Sequence, residues 1–214
     1  MVKLQLSRER VIDAAIGLAD AQGIASLSMR RLAQELGVEA MSLYYHVPSK
    51  QEILDAIADR VVGQIELPDE ATPWKPALRR LALSAYAAFT RHPWAANLVL
   101  SGSGASPARI AYMEAILGTL RRAGFSAAMT DHGYHAIESH IMGFTLWEVG
   151  MDLGTSEELA ASATGFLDSL PDGAFPYLEE HIHQHLLPRE PADEGEFAFG
   201  LDLILDGLER MLAA

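Results

Sequence analysis

The chain has 214 residues, half of them apolar, no cysteine, and a formal net charge of −13. Without cysteine there can be no disulfide framework, thiolate metal site or cysteine nucleophile. No apolar run reaches membrane-spanning length and no signal peptide is visible, so no membrane partner and a cytoplasmic location are expected.

In chain order, Ser7 is placed to cap a first helix that carries Val11, Ile12, Ala15, Leu18 and Ala19 on one face and closes at Gly23. Ser28 caps a second, with Leu32, Ala33 and Leu36 on one face and Gly37 at the left-handed closing position. Val38 to Tyr45 reads as a short third helix with Val38, Leu43 and Tyr45 turned inward, stopped by Pro48. Ser49 to Glu52 is an S-x-x-E capping box that opens a helix expected to reach about Leu67. Pro68 to Pro73 breaks the chain, and Thr72 and Pro73 begin a long helix to His92. Trp94 to Leu100 makes a short helix, and Ser101-Gly-Ser-Gly a loop. Ser106-Pro107 opens a helix that ends at Gly124, and Ser126 a long one to about Val149. Small and turn residues over 151–175 predict a loop with no more than one helical turn. Phe175 to Leu187 reads as a helix, Leu187 to Gly195 as a linker, and the last helix starts at Asp193 or Glu194.

With no strand pattern, repeat or low-complexity tract, the fold class is all-α. Residues 1–50 form a three-helix, helix-turn-helix DNA-binding domain, 51–67 a connecting helix, and 68–214 a helical ligand-binding and dimerisation domain. In a helix-turn-helix the second helix enters the major groove. The charge divides to match: residues 1–50 carry +1 and the remainder −14, so an acidic body would confine DNA to the reader.

Side-chain chemistry assigns roles within the reader. Arg30 can bond guanine bidentately or clamp a phosphate. Glu39, Ala40, Met41 and Ser42 occupy the front of the recognition helix. Ala40 and Met41 suit thymine methyls, and Ser42 a base or a phosphate. Tyr44, His46 and Lys50 suit phosphate contacts, which position without reading sequence. Tyr45 is assigned to the core, and Arg31 stands equally as a solvated charge or a contact. In the last helix, Phe197, Leu201, Ile204, Leu208 and Met211 form one stripe. Gly200, Leu203 and Gly207 form an offset face that another helix can approach closely. Such a helix must bury both faces. A homodimer interface at Phe197, Gly200, Leu203, Ile204, Gly207 and Met211 is expected, a wholly internal helix being the alternative.

The chain resembles the tetracycline-repressor (TetR) family of transcriptional regulators at Gly23, Leu27, Arg30, Leu32-Ala33, Leu36-Gly37-Val38, Leu43-Tyr44, His46 and Lys50. Segments 122–125, 143–146 and 197–209 resemble the ligand and dimer domain of its tetracycline-binding branch. The resemblance implies a repressor that binds a palindromic double-stranded DNA operator as a homodimer and is released by a small-molecule effector, with no cofactor. It matches Ser28, Arg30, Tyr44 and Lys50 to DNA contacts, while Ala40 and Met41 depart from the pattern. It also implies a cavity enclosed by the helices at 74–92, 106–124 and 126–150. Candidate lining residues are Tyr86, Phe89, Trp94, Asn97, Tyr112, Met113, His135, Ser139, Met142, Phe144 and Trp147, with Thr90, Leu98 and Ile116 beside them. An apolar wall with a few polar groups suits a drug-like or metabolite ligand. Chelation of magnesium-tetracycline in the family needs a histidine and an acid. Those positions hold Val99 and Met151, so that effector is not expected.

His181, His183 and His185 alternate, with His181 and His185 on one helix face, and Asp131, His132, His135 and Glu138 share another. Each lacks the further ligand that a metal requires, and no metal site is expected. No nucleophile elbow, phosphate loop or HExxH motif occurs, so catalysis is not expected. The remaining alternative is a dimeric small-molecule-binding protein without specific operator binding.

Overall fold

The computed structural model describes residues 6–101, 106–151, 156–171, 173–187 and 194–213, and among them there is no strand. The expected loop at 101–104 beyond Ser101 and the linker at 188–193 lie outside the described residues, as do the side chains of Met151 and His185.

Three serines open three helices of the N-terminal unit. Ser7 Oγ accepts from the Arg10 N–H (3.3 Å) at α1 (Arg8–Gln22), Ser28 Oγ from Arg31 (3.2 Å) at α2 (Met29–Leu36), and Ser49 Oγ from Glu52 (3.2 Å) at α4 (Lys50–Val62). Each satisfies a donor that the first turn leaves unpaired. Gly37 adopts φ 64° and ψ 36°, the left-handed conformation that glycine enters without a Cβ penalty.

α3 spans Ala40–Tyr44, shorter than expected. The Val38 N–H bonds back to the Ala33 carbonyl (3.0 Å) to complete the end of α2, so Val38 cannot start the next helix. α4 likewise stops at Val62 rather than near Leu67. Gln64 and Ile65 turn back to the Val61 and Val62 carbonyls, Ile65 enters the core, and the Glu66 N–H is taken by Ser84 Oγ (2.8 Å).

The body comprises α5 (Trp74–Arg91), α6 (Pro93–Ser101), α7 (Pro107–Arg122), α8 (Ala127–Met151), α9 (Ser156–Asp168), α10 (Pro176–His181) and α11 (Glu194–Leu212), with a π-helical turn over Ile182–Leu186 after α10. α9 replaces the loop expected over much of 151–175. Its alanines and leucines favour helix strongly enough to outweigh the small polar residues between them. α5 is central, burying Leu78, Leu81, Ala82, Ala85, Tyr86 and Phe89 and packing on α4, α6, α7, α8 and α11. No described helix is long and apolar enough to cross a membrane.

α11 buries Phe197, Leu201, Leu205 and Leu208 against α5 and α8. Leu205, rather than Ile204 or Met211, completes the stripe, because a straight helix of 3.6 residues per turn drifts off heptad spacing. Phe197 therefore faces its own chain and not a second copy. Its ring stacks on Tyr86 (centroids 4.2 Å apart, 6°) and on His140 (4.8 Å, 25°), with Phe144 edge-on. At the rim, Arg79 pairs with Asp202 (2.8 Å), and Lys75 with Asp206 (2.7 Å) and Glu209 (2.5 Å).

Gly200 is also explained within the chain. A Cβ there would lie 2.5 Å from His140 Cε1, and that ring is held by its stack on Phe197 and by Nε2 at 2.9 Å from the Phe197 carbonyl. Gly200→Ala will therefore destabilise the fold by about 1–3 kcal/mol, measured by urea denaturation. Gly207→Ala, which meets nothing within 4 Å of its own chain, will not show this loss. The remaining apolar face of α11 is uncovered: Phe199 is 68% exposed, Leu203 56% and Met211 62%.

Candidate functional site

The reader is a core of Val11, Ile12, Leu18, Leu27, Leu32, Leu43, Val47, Ile53 and Ile57, all buried, drawn from α1 to α4 and their connections. α3 contributes only Leu43 to the fully buried set. With that residue turned inward, Glu39, Met41 and Tyr44 face outward, Met41 being 70% exposed. Ala40, Ser42 and His46 are half-buried at the flanks of this face.

Tyr45 contradicts the core assignment, being 88% exposed. After α3 the His46 and Val47 N–H groups both return to the Leu43 carbonyl (2.9 Å each), which brings Val47 into the core and leaves Tyr45 on the outer side of the turn. Ser28, Arg30 and Lys50 are at or near the N-terminal ends of α2 and α4, with Arg30 and Lys50 exposed. Ser28 Oγ accepts from the Arg31 N–H, a bond that does not use its own proton. Arg31 is tied back to α1 by a hydrogen bond to Gln22 Oε1.

In the body, a cleft of about 250 Å³ opens between the end of α6, α7 and α8. Five of the expected residues meet there: Tyr112, Met113, His135, Ser139 and Met142, joined by Val99, Leu100, Arg109, Tyr134 and Glu138. Val99, Leu100, Arg109, Tyr134 and Glu138 were missed as lining residues, although helical spacing signalled two of them: Arg109 precedes Tyr112 by three positions and Glu138 follows His135 by three. A smaller cavity of about 30 Å³ behind Val99 is bounded by Leu98, Asp55, Asp59 and Val62.

Other expected lining residues do not reach the cleft. Phe89 is buried in the core of α5, and Ile116 in that of α7. Trp94 is buried and donates from Nε1 to Asp20 Oδ1 (2.7 Å). Tyr86 and Phe144 belong to the aromatic cluster around Phe197, and Tyr86 Oη donates to Glu148. Trp147 lies half-exposed on the outer side of α8, while Asn97 and Thr90 face solvent. These residues are as apolar or polar as the true lining, so only helix packing separates them. Among the described residues no cluster of histidine and carboxylate is assembled as a metal site.

The polar floor of the cleft is Tyr112, whose hydroxyl donates to Glu138 Oε1. Burial raises the pKa of Glu138 above its ordinary value, partly opposed by the Tyr112 bond and by Arg109 and His135. Burial and the adjacent Glu138 charge together push the Tyr112 hydroxyl well up. A carboxyl whose folded pKa is raised contributes stability below its unfolded pKa, and that contribution is lost as pH rises through the folded value. Glu138→Gln keeps an acceptor for Tyr112 and removes this penalty. At neutral pH it will be at least as stable as the parent, within about 1 kcal/mol. The advantage will shrink on acidification through the raised Glu138 pKa, as urea midpoints at neutral and acidic pH will show.

Two family models match the chain. Bacterial regulatory proteins of the tetR family cover residues 11–57, and the tetracyclin repressor-like C-terminal domain covers residues 67–212. The HTH-type transcriptional repressor DrrR1 of Streptomyces coeruleorubidus is 32% identical, over 99% of this chain and 80% of that protein. Tetracycline repressor protein class D from Escherichia coli is 35% identical, over 98% and 92%. The crystal structure of ActR from Streptomyces coelicolor in complex with actinorhodin superposes with a TM-score of 0.78 at 28% identity, covering 98% of this chain and all of that one. A helix-turn-helix unit joined to a helical body, matched by both family models over most of its length, places this chain in the TetR family of bacterial transcriptional regulators, whose members are regulators and not enzymes.

Proposed function

We propose that two copies of this chain, joined through the outer faces of α8 and α11, bind a two-fold operator through α3 and release it when a small molecule occupies the cleft between α6, α7 and α8. The observation that carries this reading is the outward face of α3, where Met41, Tyr44 and Tyr45 stand exposed on a frame fixed by capped helices and a buried Leu43. Arg30 and Met41 read bases, while Ser28, Tyr44, Tyr45, His46 and Lys50 hold phosphates. Such a regulator works in the cytoplasm, where its operator is. Relatives supply the precedent for a bound effector, as ActR does with actinorhodin.

The effector differs from magnesium-tetracycline. Val99 presents a buried aliphatic side chain to the cleft and offers no ligand to a cation. The site fits an amphipathic molecule that lays an apolar body on Val99, Leu100, Met113 and Met142 and sets a polar group near Tyr112 and Glu138.

The test is a gel-shift titration against the DNA flanking the protein's own coding sequence, with excess nonspecific competitor at two salt concentrations. A discrete, competitor-resistant shift is expected, weakening by roughly 10²-fold or more between 50 and 200 mM salt. Arg30→Ala will weaken it by about 1–3 kcal/mol. No shift at either salt from a folded dimer would favour a small-molecule-binding protein without an operator.

A further inference from the structure

We propose that Asp20, His92 and Trp94 form a clasp through which α6 transmits occupancy of the cleft to the first helix of the reader. They would then be positioning residues for operator release. The inference rests on reading the cleft as the effector site.

Asp20 lies in the last turn of α1, with its side chain one-third exposed. One of its oxygens, Oδ1, serves two donors from the body. Trp94 Nε1 donates to it at 2.7 Å, and His92 Nδ1 lies 2.8 Å away, which places the ring proton on that nitrogen. Both donors are buried, with ring centroids 5.8 Å apart. His92 closes α5 and Trp94 is in the first turn of α6, so the clasp sits at the corner between those helices.

The other end of α6 is in the cleft. Val99 and Leu100 line it, and α6 runs from Pro93 to Ser101 as one unbroken helix. Trp94 and Leu100 are thus about 9 Å apart along a short rod with no hinge between them. A molecule seated in the cleft bears on one end, and the other end holds Asp20.

The reader has a second fixed point. Its chain continues into α4, and Asp59 of α4 accepts the Ala108 N–H at the start of α7 (2.8 Å). α4 also packs on α5, α6 and α7, and the clasp adds a separate attachment at α1, so the two together fix the angle of the reader on the body. The exposed Arg60–Asp13 pair (3.1 Å) joins α4 to α1 within the reader and makes no bridge to the body. A hydrogen bond of 2.7 Å is lost by a displacement of about 1 Å, so a small shift of α6 becomes a discrete release of α1. Just beyond Asp20, Gly23 at φ 76° turns the chain toward α2, and movement of Asp20 is passed to the start of the helix-turn-helix.

The cysteine-free chain allows a direct test. Leu100→Cys introduces a single thiol at the cleft, and N-(1-pyrenyl)maleimide attached there serves as the occupant. On the operator fragment, the pyrene adduct will weaken binding about tenfold or more in the otherwise parental protein. With Asp20→Ala or Trp94→Phe added, the same adduct will weaken binding by less than about twofold. Trp94→Phe removes the donor and keeps the ring, so it serves where Asp20→Ala perturbs the fold. Equal weakening with and without the clasp would overturn the clasp and leave the cleft reading intact. No weakening in the parental background would overturn the cleft reading, and the clasp with it.

Discussion

A Leu203→Asp protein will run as a monomer and will bind the operator at least about 100-fold more weakly than the parent. Leu203 is the centre of the uncovered α11 face, flanked by Phe199 and Met211, with Gly207 open beside it. The adjoining outer side of α8 carries Gly143, which admits close approach, and the half-exposed Trp147, which offers apolar surface, and neither brings charge. In a two-fold interface the substitution enters twice, so two carboxylates are buried against apolar surface at a cost of several kcal/mol each. Separating the protomers removes the high effective concentration with which the first bound reader presents the second. Light scattering gives the mass and the gel shift gives the affinity. A variant that stays dimeric with parental affinity would place the interface elsewhere on the molecule. Leu203→Ala, which introduces no charge, will keep the dimer.

What the sequence discloses here is what short-range chemistry decides. Ser7, Ser28 and Ser49 cap helices because each hydroxyl reaches an N–H three residues on, and Gly23 and Gly37 take positive φ because the chain must turn there. Those positions fix the helix-turn-helix without any long-range contact. Tyr45 shows the limit. A five-residue helix has too few turns to set the phase of its faces, and the side on which Tyr45 falls depends on how Val47 enters the core. Gly200 was read as room for a second copy because its constraint, the His140 ring, comes from another helix. The end of α4 depends on Ser84 capturing the Glu66 N–H, which no local pattern announces. The cleft was half legible for the same reason. Spacing groups His135 with Ser139 and Met142, but Phe89 and Trp94 look identical until α5 and α6 are packed.

Replacing Phe197 by alanine will cost about 3–5 kcal/mol and lower the melting temperature by roughly 6–20 °C. The ring is fully buried, and three aromatic neighbours make contact with it on separate sides: Tyr86 and His140 stacked, and Phe144 edge-on at 5.6 Å. Such pairs contribute about 0.5–1.5 kcal/mol each beyond area burial. The neighbours cannot collapse into the space left behind. His140 is anchored to the Phe197 carbonyl and Tyr86 to Glu148, so the cavity persists and its penalty is added to the lost transfer energy. The same residue was read from the heptad-like stripe as a dimer contact, and calorimetry together with light scattering separates the two roles. An inward Phe197 predicts a large loss of melting temperature in a protein that remains dimeric below its transition. An interface Phe197 predicts monomers whose own fold is little changed. Set beside Leu203→Asp, the pair divides α11 into a face that holds the helix on its own body and a face that meets the second copy.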